Sequence, residues 1–206
     1  MKLFITGASG FIGGAVATSM AKAGHEVRGL IRNPERAAEL RGFGIEPVLG
    51  TLDDAALLAA EARAADAVIN AADSDHRGAV EALLEALAGS GKAFIHTSGS
   101  SLVADDALGE PSDAVFDETT PVAPVPGKAA RIAINDLILA SAPDVRCVVL
   151  CHSLIYGSTE GPRAESVQIP PLVAQARASG IARHVGRGLN RWSNVHVADV
   201  AALYLL

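Results

Sequence analysis

Cysteine, aromatic residues and positive charge are all in short supply in this chain. Only two cysteines occur in 206 residues, Cys147 and Cys151. Four positions apart on one strand, they would sit roughly 13 Å from each other, too far for a disulfide. No disulfide framework is expected, and both thiols read as buried core residues. Aromatic residues make up 4% of the chain, so the core must be built from small aliphatic side chains. Seventeen Lys and Arg stand against 23 Asp and Glu, a net charge of −6, which gives no basic footprint for nucleic acid. No apolar run approaches the roughly 20 residues that a membrane span needs. No leader-like stretch precedes the first strand-like run, so the expectation is a cytoplasmic protein without a membrane partner. The six histidines, His25, His76, His96, His152, His184 and His196, show no short ligand spacing, and no metal site is expected.

What is present is an alternation. Half of the residues are hydrophobic, which argues for a packed chain and against disorder. Strand-like runs fall at Lys2–Thr6, Glu26–Ile31, Glu46–Leu49, Ala67–Asn70, Ala93–Thr97 and Arg146–Leu150. Helix-like runs lie between them at Phe11–Ala23, Pro34–Gly42, Asp54–Ala64, Arg77–Gly89 and Lys128–Ser141. Strands alternating with helices predict an α/β fold, a parallel sheet covered on both faces. Asp105 to Gly127 breaks the rhythm with Asp, Glu and Pro and no period, and reads as a long surface loop of the kind used as a lid or binding loop. The chain stops inside an apparent helix that starts near Asp199, with no stop signal, so a C-terminal portion is expected to be missing. The division expected is a core at 1–157 and, at 158–206, late core elements with part of a substrate lobe.

The chemistry is announced in the first thirteen residues. A short apolar strand runs into Gly7-Ala8-Ser9-Gly10-Phe11-Ile12-Gly13 and then a helix, the layout of a dinucleotide diphosphate site. Gly7 permits the tight turn, Gly10 lets the backbone approach the diphosphate, and Gly13 lets the helix pack closely on the strand. The helix start directs free N–H groups and partial positive charge at the phosphates. This placement favours the doubly wound, Rossmann-type arrangement.

Further segments carry a family resemblance. Thr6–Gly13, Asp66–Ala72, Phe94–Ser98, Leu154–Gly157 and Asn194–Ala201 together resemble the extended short-chain dehydrogenase/reductases, in particular the NAD-dependent epimerase/dehydratase family. The resemblance implies cofactor contacts from Gly7, Ser9, Gly10, Phe11, Ile12 and Gly13, from Ala71 and Ala72 beside the adenosine, and from Thr97. It also implies contacts from Thr51 and Leu52 after the third strand, Thr51 standing where the family usually has an Asp for the adenine, and from His152 near the nicotinamide. His152 is also weighed as a general acid near neutral pH and as a structural histidine.

Departures from the family pattern are equally informative. The family's Tyr-x-x-x-Lys pair is absent: aligned by the helix, Gly127 takes the tyrosine position and Arg131 the lysine position. Aligned on Lys128, Pro124 takes the tyrosine position. The chain therefore resembles atypical members, with Arg131 or Lys128 as the basic group and Ser98 or Ser100, flanking Gly99, as the hydroxyl. A guanidinium can polarise a carbonyl or hold an oxyanion but is a poor proton donor; both basic residues could equally be solvated on a surface helix. Tyr156 is a replacement phenol by type alone, and Trp192 could pack or line a substrate wall.

An NAD-preferring site places an acid at the end of the second strand. Gly29-Leu30-Ile31-Arg32-Asn33 has none, and Arg32 with Arg36 suits a 2′-phosphate, so NADP is expected ahead of NAD. The function expected is an atypical NAD(P)-dependent oxidoreductase moving hydride to or from a small carbonyl or alcohol. A sugar-nucleotide epimerase or dehydratase and a non-catalytic cofactor redox sensor remain open. The partners expected are a small-molecule substrate and, from the resemblance, a second copy of the chain as a homodimer.

Overall fold

The computed structural model describes residues 1–121 and 127–206. Pro124, one of the two positions aligned with the missing tyrosine, lies outside the described residues. Six strands form one parallel sheet: β1 (Lys2–Thr6), β2 (Glu26–Ile31), β3 (Ile45–Leu49), β4 (Ala67–Asn70), β5 (Ala93–Gly99) and β6 (Arg146–His152), in the order β3-β2-β1-β4-β5-β6. This is the doubly wound, Rossmann-type order, and it reverses between β1 and β4, where the C-terminal strand ends open a crevice. The helices are α1 (Phe11–Lys22), α2 (Ala37–Gly42), α3 (Ala55–Ala64), α4 (Arg77–Leu87), α5 (Ala129–Ala140), α6 (Ile169–Ser179) and α7 (Val197–Leu203).

Alternation along the strands sorts the core into two layers. Leu3 and Ile5 face one cluster with α1, α2 and α7; Phe4 faces the other with α3, α4 and α5. Helix α4 shows why it forms: Ala79, Val80, Leu83, Leu84 and Leu87 make a continuous apolar stripe, and the His76 ring accepts from the Ala79 N–H at its start. Asp54 caps α3 by accepting from Leu57 N–H at 3.0 Å. The run expected as one helix at 34–42 begins instead as a 3-10 turn at Pro34–Arg36, because Asn33 caps it and Pro34 takes the first position.

Three elements escaped the sequence rhythm: α6, and the two-stranded parallel sheet of β7 (Leu154–Tyr156) with β8 (Asn194–His196). These strands are three residues long, too short for a visible period. The terminal segment returns to the core, since Val197, Val200 and Ala201 of α7 and Tyr204 at its C-terminal cap join the α1 layer. The cysteines correct an expectation: Cys151 is exposed and Cys147 only half-buried. Both lie on β6, an edge strand of the sheet among the described residues.

Candidate dinucleotide cleft

The cleft lies at the sheet's C-terminal edge over the crevice, with a volume of about 410 Å³. Its floor is Gly10–Gly13 and Ala71, one wall is Ser98–Ser101 with Arg131 and His152, and the facing wall comes from Arg163, Ser166–Gln168 and Trp192. The glycine-rich end is shaped by backbone. Gly7 sits at φ +74°, and a Cβ there would come within 2.5 Å of the Ala71 carbonyl oxygen. A Cβ on Gly13 would lie 2.3 Å from the Gly7 carbonyl oxygen. Gly10 starts α1 with no side-chain cap and no acidic residue in the first turn, so the helix N-terminus faces the cleft uncompensated.

The other end is shaped by side chains from four elements. Asn135 on α5 donates to Ser98 Oγ of β5 at 3.1 Å. One helical turn earlier, Arg131 lies over Gly99, where an added Cβ would be 3.7 Å from its Nη1. Its guanidinium forms a two-point ion pair with Asp75, one bond being 2.7 Å from Nε to Oδ1. Arg131 holds the Asp75 carboxyl below the usual carboxylate range, chiefly by hydrogen bonding. Lys128 is half-buried at the start of α5 and does not line the cleft. Ser100 lines it in the short 3-10 turn after β5.

Beneath this wall lies a buried polar chain. Thr6 donates to Asn70 Oδ1, and the Asn70 amide donates to His96 Nδ1 at 3.1 Å. That direction leaves the proton on His96 Nε2 in the neutral ring. Among the described residues, neither His96 Nε2 nor Asn135 Oδ1 has a hydrogen-bond partner. Burial pushes His96 down to about 4, and the positive Arg131 adds to the shift. A second group sits under β5 and β6: the Tyr204 hydroxyl bridges Thr97 Oγ1 at 2.6 Å and His152 Nε2 at 3.0 Å. Burial raises Tyr204 to about 12 and lowers His152 to about 4, so His152 is neutral at physiological pH. A neutral ring supplies no imidazolium proton, which weighs for the structural of the two readings of His152.

The sequence profile of the NAD dependent epimerase/dehydratase family matches residues 3–206. The chain belongs to that family. Among its relatives, the oxidase ucsJ of an Acremonium species is 34% identical over 226 residues, covering 99% of this chain and 65% of that protein. The 4-hydroxy-2-methyl-3-oxo-4-farnesyl-3,4-dihydroquinoline-1-oxide ketoreductase of Stigmatella aurantiaca is 29% identical over 223 residues, covering all of this chain and 64% of that protein. The chain thus spans about two thirds of the length of each. A structure of UDP-glucose 4-epimerase from Bifidobacterium longum, with NAD+ and UDP, superposes with a TM-score of 0.73 at 17% identity, over all of this chain and 73% of that one. At that identity the likeness establishes the fold.

The family is NAD-dependent, and this epimerase/dehydratase-family chain fits a dinucleotide: its glycines leave no room for side chains at the turn, and its helix start lacks any acidic or capping group. Ser9, Phe11 and Ile12 are half-buried along the turn, and Ala72 follows Ala71 at the β4 exit. Arg32 is exposed at the end of β2 and makes no side-chain hydrogen bond among the described residues. Arg36 is otherwise engaged. Its guanidinium donates to the Ser9 carbonyl at 3.0 Å, the Pro162 carbonyl at 2.8 Å and the Glu39 carboxylate. Thr51 is exposed, with its Oγ1 accepting from Asp53 N–H at 3.2 Å, and Leu52 packs on the second core layer. Tyr156 stands edge-on to His196, which caps α7. Sequence reasoning missed Tyr204, Asn135, Asp75 and Arg163. For Asn135 the signal was legible, four residues after Arg131 and so on the same helix face. The other three depend on tertiary approach.

Proposed function

We propose that this chain is an NAD(P)-dependent oxidoreductase of the atypical extended short-chain type, acting on a small carbonyl or alcohol. The observation that carries it is the meeting, in one cleft, of an uncompensated glycine-rich helix start with Ser98, Ser100 and Arg131. The ketoreductase relative supports a carbonyl as the reacting group. Gly7, Gly10 and Gly13 would hold the dinucleotide's diphosphate, with Thr97 and His152 toward its other end and Arg32 taking a 2′-phosphate, hence NADP ahead of NAD. When bound, the dinucleotide gives or accepts the hydride.

The remaining work falls to side chains. Asn135 occupies a lone pair of Ser98 Oγ, which leaves the Ser98 proton to be donated. Ser100 adds a second hydroxyl on the same wall. Arg131 polarises a substrate oxygen and stabilises negative charge developing on it. Asp75 fixes the guanidinium plane while leaving the side facing Gly99 available. With no phenol lining this wall among the described residues and both nearby imidazoles neutral, the proton is exchanged with water through a serine hydroxyl.

The test is calorimetric titration with NADPH and NADH, repeated on Arg32→Ala, followed by a screen of carbonyl compounds for oxidation of the reduced cofactor. Tighter NADPH binding that falls about tenfold in the variant, with turnover of some carbonyl, is the expected result. A redox-sensor reading is favoured by one observation, the neutralisation of Arg131 by Asp75. It requires discrimination between oxidised and reduced cofactor with no turnover across the screen.

A further inference from the structure

Among the described residues, two charged side chains line the cleft, Arg131 and Arg163. Arg131 is matched by Asp75. Arg163 is exposed, and among the described residues its side chain has no hydrogen bond and no ion-pair partner. It is the cleft's unmatched guanidinium among the described residues, so its setting is informative.

The backbone around Arg163 is pinned at several points. Ser158 and Glu165 form an antiparallel bridge, and Thr159 N–H donates to the Ala164 carbonyl at 3.1 Å, making a narrow hairpin with Gly161 and Pro162 at its tip. That tip rests on the first turn of α1. A Cβ on Gly14 would be 3.0 Å from Pro162 Cδ, and one on Gly161 would be 2.9 Å from the Gly14 carbonyl carbon. Lys22 and Glu160 pair across one side. On the other, Arg36 holds the Ser9 carbonyl and the Pro162 carbonyl with one guanidinium, stapling the hairpin to the glycine-rich turn. The residue immediately after this staple is Arg163, and it shares the cleft with Gly10–Gly13.

We propose that Arg163 is the clamp for the diphosphate of the bound dinucleotide, held over the glycine-rich turn by the Arg36 staple. The assignment rests on the dinucleotide reading above. Its physical reason is charge balance. A helix start contributes only about half an elementary charge, whereas a diphosphate ester carries about two negative charges. A guanidinium across the cleft supplies a full charge in a fork that matches phosphate oxygens. The same geometry gives Arg36 a positioning role in place of the 2′-phosphate contact expected from sequence. Cofactor preference then falls on Arg32 alone.

Titration of the full chain with ADP, adenosine, NADH and NADPH tests the clamp, on the wild type, Arg163→Ala and Arg163→Lys. The wild type should bind ADP more tightly than adenosine. Arg163→Ala should lose about tenfold toward ADP, NADH and NADPH alike, the order of one charge-assisted bond, with adenosine unchanged. The Lys variant should recover part of the loss. Because the side chain has no partner, the unliganded melting temperature should not move. Unchanged ADP affinity in Arg163→Ala overturns the clamp and leaves the proposed function standing, as does an equal loss toward adenosine. A wild type that binds no dinucleotide overturns both readings, and that outcome is read without any variant.

Discussion

At the glycine-rich end of the cleft the wall is backbone; at the Ser98 end it is side chain. In the first region, Gly7 and Gly13 approach other backbone atoms so closely that no Cβ fits. In the second, Ser98, Asn135, Arg131 and Asp75 are drawn from β5, α5 and the loop after β4, and each bond can be deleted singly. The contrast separates two tasks. Holding a diphosphate needs converging N–H groups and space, which a short local motif supplies. Polarising a substrate oxygen needs particular side chains at one point, which only the tertiary fold assembles.

The largest effect that sharpens this contrast is expected at Gly7. Gly7→Ala places a Cβ at φ +74° and 2.5 Å from the Ala71 carbonyl oxygen. Left-handed strain and overpacking together cost about 4 kcal/mol, read as a shift in the urea midpoint. Dinucleotide binding should be lost with it. A variant of wild-type stability would show that the turn is not the rigid element described.

Next in size is the pH response of the side-chain end. His96 is fully buried and depressed to about 4, against about 6.5 when unfolded. Between those values the unfolded chain binds more protons, so stability is complete above about pH 6.5 and falls as pH drops toward 4. The size is about 3 kcal/mol. His152 shifts in the same direction and adds to the slope. The carboxyl of Asp75, lowered by Arg131, contributes stability present above its unfolded range and lost at still lower pH. Urea denaturation across pH 4 to 7 on wild type and His96→Asn checks this; an equally steep profile in the variant would assign the slope elsewhere.

Arg131→Ala should reduce turnover about a hundredfold, the order for one oxyanion donor, while leaving NADPH affinity within a few-fold. Full activity in that variant would remove Arg131 from the chemistry. A parallel fall in cofactor affinity would move it to the glycine-rich end of the comparison.

The same contrast governs what the sequence discloses. Lys2–Thr6, Glu26–Ile31 and Ala67–Asn70 form strands over the spans that their apolar runs mark, because buried parallel strands are continuous hydrophobic runs. The glycine turn is legible because its backbone geometry requires missing side chains within seven positions. The side-chain end is not, since Asp75 and Arg131 lie 56 positions apart and Thr97 and Tyr204 lie 107 apart. Nothing local to Arg36 announces that a guanidinium expected at a 2′-phosphate would turn to the Pro162 carbonyl 126 positions later.

Tyr204→Phe is expected to have the smallest effect and bears on how the two ends are joined. Tyr204 caps the C-terminus of α7, whose apolar face packs on the α1 layer that begins at the glycine turn. Its hydroxyl reaches Thr97 and His152 under the other end. The phenylalanine ring keeps the packing and removes only the bridge. Thr97 is buried, so its hydroxyl loses a partner that water cannot replace, whereas His152 lines the cleft and can be solvated. One unsatisfied buried hydroxyl costs about 1–2 kcal/mol, and differential scanning calorimetry should register that loss. Turnover should change by less than about tenfold, because neither partner of the bridge is charged. A larger loss of turnover with unchanged stability would make the bridge part of the proton path, and would place His152 in the chemistry despite its neutral state.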